Sequence, residues 1–128
     1  MEIKAIGILE IEVIEILDKN YLNVNCKYGT FIGKWMDEDI PKIGKCFAEI
    51  DYNEIINYKI IDEIDYCIKS LEGKNIIEGL IIKEDDDFIQ YLDFCGDGII
   101  MIEIKENNLK NKCIKLEVDE IEIWPVYF

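Results

Sequence analysis

The feature that most constrains this chain is a two-residue rhythm of apolar and charged side chains, carried mainly by isoleucine. Leu9, Ile11 and Val13 alternate with Glu10 and Glu12, and Leu22, Val24, Cys26 and Tyr28 with Asn23, Asn25 and Lys27. Successive side chains of a strand point to opposite faces, so such runs read as half-buried β-strands. Ala48, Ile50 and Tyr52 against Glu49 and Asp51 repeat the pattern, as do Ile114, Leu116 and Val118 against Lys115, Glu117 and Asp119. Strands are also expected at 29–35, 76–83, 88–94, 98–105 and 113–124.

Twice the phase slips by one residue, at Val13–Ile14 and again between Val118 and Ile121. A slip inside one run predicts a bulge or sharp bend. Asp18-Lys19-Asn20, residues 37–44 with Pro41 and Gly44, Asp85–Asp87 and Gly96-Asp97-Gly98 supply turns. Residues 54–72 fit two strands broken near Asp62–Glu63, and their Ile and Tyr content favours this. Helical spacing of Ile56, Ile60, Ile64, Cys67 or Ile68, and Leu71 is the alternative.

The expected fold is therefore all-β, one domain over 1–128, forming a small antiparallel, strongly bent barrel or sandwich. A helix at 54–72 would give an OB-like layout instead. The segment Gly44-Lys-Cys-Phe-Ala-Glu-Ile-Asp echoes Asn111-Lys-Cys-Ile-Lys-Leu-Glu-Val-Asp with one residue inserted. Such an echo suits a duplicated barrel.

Charge bounds the partners. Against 28 acids stand 14 bases, all Lys, for a net charge of −14, and the chain contains neither Arg nor His. Phosphate neutralisation, most often by Arg, dominates nucleic-acid affinity, so nucleic acid is not an expected partner. Anionic membranes are disfavoured in the same way. A basic protein is favoured, because opposite fields speed encounter.

Chemistry is sparsely encoded. Without His, a Cys nucleophile lacks its usual base and the thiols lack a zinc co-ligand. No Gly-rich phosphate loop or nucleophile elbow is present, and Glu84–Asp87 lacks the spacing of a calcium loop. No enzyme, metal or cofactor is expected. Of five scattered cysteines, Cys26, Cys46, Cys67, Cys95 and Cys113, most read as buried free thiols. With no signal-like N-terminus and no long apolar run, they place the chain in the cytoplasm.

The candidate binding residues are the outward acids Glu10, Glu12, Glu49, Asp51, Glu117 and Asp119, which would form one negative face if their strands were neighbours. Trp35 with Asp37, Glu38 and Asp39 offers a second candidate, an aromatic anchor inside an acidic rim, with a core position for Trp35 as the alternative. Trp124, Tyr127 and Phe128 are expected to seal the barrel.

Three segments carry a resemblance: Gly33-Lys-Trp with Pro41-x-x-Gly44-Lys-x-x-x-Glu49-Ile-Asp51, the run from Tyr91 to Ile104, and Val118-Asp-Glu-Ile-Glu-Ile-Trp-Pro125. In these the chain resembles small bacterial β-proteins that include suspected immunity proteins of polymorphic toxin systems. The resemblance implies a shared β fold and, for function, an acidic inhibitor that neutralises a basic, toxin-like protein. The alternatives are a small-ligand or peptide-binding barrel module and a subunit of a larger assembly.

Overall fold

A computed structural model describes residues 8–18, 20–94 and 98–127. The chain runs through β1 (Ile8–Ile16), β2 (Tyr21–Cys26), β3 (Gly29–Trp35), β4 (Gly44–Tyr52), β5 (Ile55–Ile61) and β6 (Cys67–Leu71). It continues through β7 (Lys74–Asp85), β8 (Ile89–Asp93), β9 (Ile99–Glu103), β10 (Cys113–Val118) and β11 (Ile121–Val126). The all-β expectation holds, and the 54–72 stretch forms strands β5 and β6. The Gly96–Asp97 turn and Cys95 lie outside the described residues.

Local chemistry sets the hairpins. The Asp18 carboxylate accepts the Asn20 and Tyr21 amides at 2.8 and 3.1 Å, closing the β1–β2 turn. Between β6 and β7 the turn residues Glu72 and Gly73 both take positive φ, 53° and 79°. A two-residue turn of that hand matches the twist of the flanking strands.

Strands β1, β2, β3, β11 and β4 close into a barrel, while β5, β10, β7, β8 and β9 form an open sheet to which β6 adds beside β7. One continuous apolar core joins both, from Ile11, Phe31 and Ile123 to Ile77, Leu92 and Leu116.

The first phase slip is a bulge, where the β1–β2 register shifts between Val13 and Glu15. The second is not a bend within one strand. The 113–124 run divides into β10, which lies in the open sheet, and β11, which returns to the barrel. The slip marks the point where the chain changes sheets, so the two parts need separate inward faces.

The two halves repeat one another. Leu9 faces Ala48 in the first, and Ile77 faces Leu116 in the second, both partners 68 residues further on. Val13 opposite Val24 matches Ile81 opposite Leu92 by the same interval. The bulge at Val13/Glu15 recurs at Ile81/Lys83. Each half is a three-stranded meander whose first strand also pairs with the fourth, and the fifth strands are exchanged: β5 pairs with β10, β11 with β4. The connections touch where they cross, with Asn53 N–H donating to Glu120 O (3.3 Å) and Asp119 N–H to Glu54 O (2.9 Å). Of the echo at 44–51 and 111–119, Glu49 to Asp51 falls on Glu117 to Asp119 at this interval, whereas Gly44 to Phe47 on Asn111 to Ile114 is one residue out of the structural register.

A glycine explains why only the first half closes. Gly33 lies in the parallel β3–β11 seam, where a Cβ would come within 2.5 Å of Ile123 Cδ1. Gly33 pairs with Leu22 as Ile102 pairs with Gln90, so Ile102 fills the matching position of the second half. There β9 is the last strand of its sheet.

Candidate functional site

The barrel wall made by β1, β4 and β11 carries the site. Alternation turns Leu9, Ile11, Ala48, Ile50, Ile121 and Ile123 into the core. It leaves Glu10, Glu12, Lys45, Phe47, Glu49, Asp51, Glu122 and Trp124 on the outer face. Register fixes the neighbours: Glu10 lies opposite Phe47, Glu12 opposite Lys45, Glu49 between Ile8 and Trp124, and Asp51 opposite Glu122. Like charges directly opposite one another weaken a sheet. Asp51 and Glu122 thus set two acids side by side, with Lys34 of β3 next to Glu122 on its other side and the Trp124 indole N–H donating to Glu122 at 3.3 Å.

Beside this wall lies a cleft of about 310 Å³, lined by Glu49, Asp51 and Trp124 on the barrel and by Tyr91, Ile99 and Met101 on β8 and β9. Trp124 is 42% exposed and Met101 56%. An indole and a thioether left in water beside carboxylates suit a contact in which apolar anchors sit inside a charged rim. The wall around Trp124 holds acids, so an incoming Lys or Arg would find a carboxylate and an aromatic face together.

The sequence-predicted residues divide among separate places. Glu10, Glu12, Glu49 and Asp51 share the wall. Glu117 does not: on β10 it is half-buried in a hollow with Asn57, Lys59, Lys74 and Lys115, a basic island. Asp119 sits at the chain crossing and accepts the Asn53 side-chain amide at 2.9 Å. Both fall away from the face because β10 belongs to the open sheet.

Trp35 belongs to the core, 8% exposed, and its indole N–H donates to Asp39 O at 2.7 Å. That bond holds the loop bearing Asp37, Glu38 and Asp39 over the barrel end. There Asp37 accepts the Tyr127 hydroxyl, which pushes that phenol up to about 12. Trp35, Glu38, Asp39, Ile40, Ile43 and Tyr127 line a hollow of about 680 Å³. It is larger and more apolar than the cleft, but Lys42 and Lys45 offset its acids. The exposed Trp124 and Tyr127 do not seal the barrel as expected, and Phe128 lies outside the described residues.

Sequence reasoning missed Glu122, Tyr91 and Met101. Glu122 was legible as an outward acid between Ile121 and Ile123. Tyr91 and Met101 join the site through tertiary packing alone.

Among the described residues, no three His, Cys, Asp or Glu side chains gather to hold a metal. The described thiols Cys26, Cys46, Cys67 and Cys113 are free, but of these only Cys67 is buried and the other three are half-buried, against the expectation of buried thiols. Burial raises the Cys26 and Cys46 pKa values. Burial, together with donation to the Glu78 carboxylate at 3.1 Å, pushes Cys67 up to about 12. Thiols so held stay protonated and are poor nucleophiles. No described helix is long and apolar enough to cross a membrane. Compared with protein families, curated proteins and solved structures, the chain matches none.

Proposed function

We propose that this chain is a non-catalytic binding protein whose acidic barrel wall takes a basic protein partner, acting as an inhibitor of the immunity type toward a toxin-like protein. The observation that carries the reading is the opposed Asp51–Glu122 pair beside the exposed Trp124 and Met101. Acids gathered on one face attract a cationic partner, and the anchors supply apolar contact once water is displaced.

The split of the predicted acids provides an internal control. Glu49→Lys with Asp51→Lys changes the wall, and Glu117→Lys with Asp119→Lys changes net charge by the same amount elsewhere. Association with the partner captured from the native host, followed by surface plasmon resonance, should slow at least tenfold for the first pair and little for the second. The on-rate should fall steeply with salt, because screening shortens to about 8 Å at physiological ionic strength. Equal effects from both pairs would reduce the wall to net charge and refute the reading. A second reading, a peptide- or ligand-binding module, is favoured by the apolar hollow at Trp35 and Tyr127. It predicts that Ile43→Asp abolishes binding while the wall variants do not.

A further inference from the structure

A chain of net charge −14 repels its own copies, so contact between copies needs a place without acids. Strands β2, β3, β5 and β6 contain no Asp or Glu. Of these, β2 and β3 are paired on both sides. β6 docks on β3, where Ile68 N–H donates to Tyr28 O at 3.2 Å and Ile32 N–H to Ser70 Oγ at 2.9 Å. β5 is different. It ends the open sheet, bonded to β10 on one side, and no described residue pairs with its other edge.

The residues of β5 suit pairing. Its sequence, Ile55-Ile-Asn-Tyr-Lys-Ile-Ile61, is rich in strand formers and has neither Gly nor Pro. Two of its isoleucines lie in water, Ile56 at 58% exposure and Ile60 at 44%. Ile56 is the extra residue of a bulge: Ile55 faces Val118 and Asn57 faces Glu117, which leaves Ile56 no partner on β10. Tyr58 lies midway between the exposed isoleucines, packs on the core and donates its hydroxyl to Glu106. On the outer face Lys59 lies beside Lys115, Lys115 beside the buried Glu78, and Asn57 beside Glu117.

We propose that β5 is a dimerisation edge, which pairs antiparallel with β5 of a second copy about a twofold axis at Tyr58. Backbone bonds complete the ladder that β5 leaves open. Side chains select the register. Centred on Tyr58, Ile56 meets the second copy's Ile60, and Lys59 meets its Asn57, with its Glu117 next in the row. The twofold makes each contact twice. Centring on Lys59 would set two lysines face to face, and centring on Asn57 would set Ile60 against Glu54. In the Tyr58 register the acids that flank the strand, Glu54 and Asp62, oppose each other and end the ladder. The other end of the sheet is unsuited to a second copy, since β9 carries Glu103 and borders the acidic cleft. A single strand pair buries less than the roughly 1,200 Å² of a standard interface, so the dimer is weak and reversible. It leaves the barrel wall of each copy uncovered, and it does not depend on what that wall binds.

Sedimentation equilibrium of the full chain tests the proposal. A monomer–dimer equilibrium is expected in the micromolar to millimolar range. It should tighten with added salt, which screens the repulsion between copies, whereas association of the wall with a basic partner weakens with salt. Two variants decide the register. Asn57→Glu sets an acid against the second copy's Lys59 and should tighten the dimer about tenfold, although it makes the chain more acidic. Asn57→Lys should weaken it by about as much, although it makes the chain less acidic. Ile56→Lys should also weaken it while leaving the circular dichroism unchanged. Amides of residues 55–61 should gain protection from hydrogen exchange as concentration rises. A monomer at every concentration and salt would overturn the proposal. So would the reverse order of the two Asn57 variants, which would trace to net charge alone, or a dimer whose β5 amides stay unprotected.

Discussion

Replacing Gly33 by alanine tests the closure that distinguishes the two halves. An alanine Cβ would lie 2.5 Å from Ile123 Cδ1, 2.7 Å from Ile123 Cγ1 and 3.1 Å from Phe31 Cε2. Ile123 and Phe31 are fully buried, so neither side chain can swing into solvent. Overpacking a filled core costs about 1–3 kcal/mol. Gly33 has no positive φ to relieve, so alanine also returns about 0.4–1 kcal/mol by restricting the unfolded chain. The net expectation is a loss of about 1–2 kcal/mol, or a fall in Tm of roughly 3–10 °C for a domain of this size. Both closest atoms belong to Ile123 beyond its Cβ, which makes a double-mutant cycle decisive. Ile123→Ala alone should cost about 2–5 kcal/mol. In that background Gly33→Ala should cost nothing or stabilise, because the new methyl enters the space vacated. Urea unfolding of the four proteins measures the coupling, and additive losses would refute the steric account of the β3–β11 seam.

Other consequences concern single side chains. Gly29→Ala should destabilise more than Gly33→Ala, because φ is +141° and the obstacle at 2.7 Å is the backbone oxygen of Ile68; comparable Tm values would count against the docking of β6 on β3. The Cys67 thiol, raised from near 9 to about 12, favours the folded state fully below pH 9, and that contribution is lost as pH rises from 9 toward 12. Wild-type stability should therefore fall by up to about 1.4 kcal/mol per pH unit in that window, and Cys67→Ser should fall less steeply; parallel curves in urea titrations would show that the thiol is not the cause. Trp35→Ala should cost about 3–5 kcal/mol, whereas Trp124→Ala should leave Tm nearly unchanged and weaken partner binding. Acrylamide quenching of single-tryptophan variants should find Trp124 accessible and Trp35 shielded.

Period-2 alternation was enough to establish an all-β chain, because each outward acid beside an inward Ile fixes the local backbone without reference to anything distant. It located β1 to β4 and the Val13 bulge, and the outward positions of Glu10, Glu12, Glu49 and Asp51 followed directly. The echo between residues 44–51 and 111–119 held the repeat only in part, because Glu49 to Asp51 match Glu117 to Asp119 in register while the residues before them match one position out. Pairing partners were another matter. The slip between Val118 and Ile121 reads identically whether a strand bends or the chain leaves one sheet for another, since both reset the inward phase. Only the tertiary structure sent β11 back to the barrel, which separated Glu117 and Asp119 from the acidic wall and brought Glu122 into it. Gly33 likewise read only as part of the strand at 29–35, and its role appeared only when Ile123 came within reach across a parallel seam from a strand far along the chain. The places of Tyr91 and Met101 depend wholly on such long-range packing, because the sequence sets which face a side chain takes and the sheet order decides what that face meets.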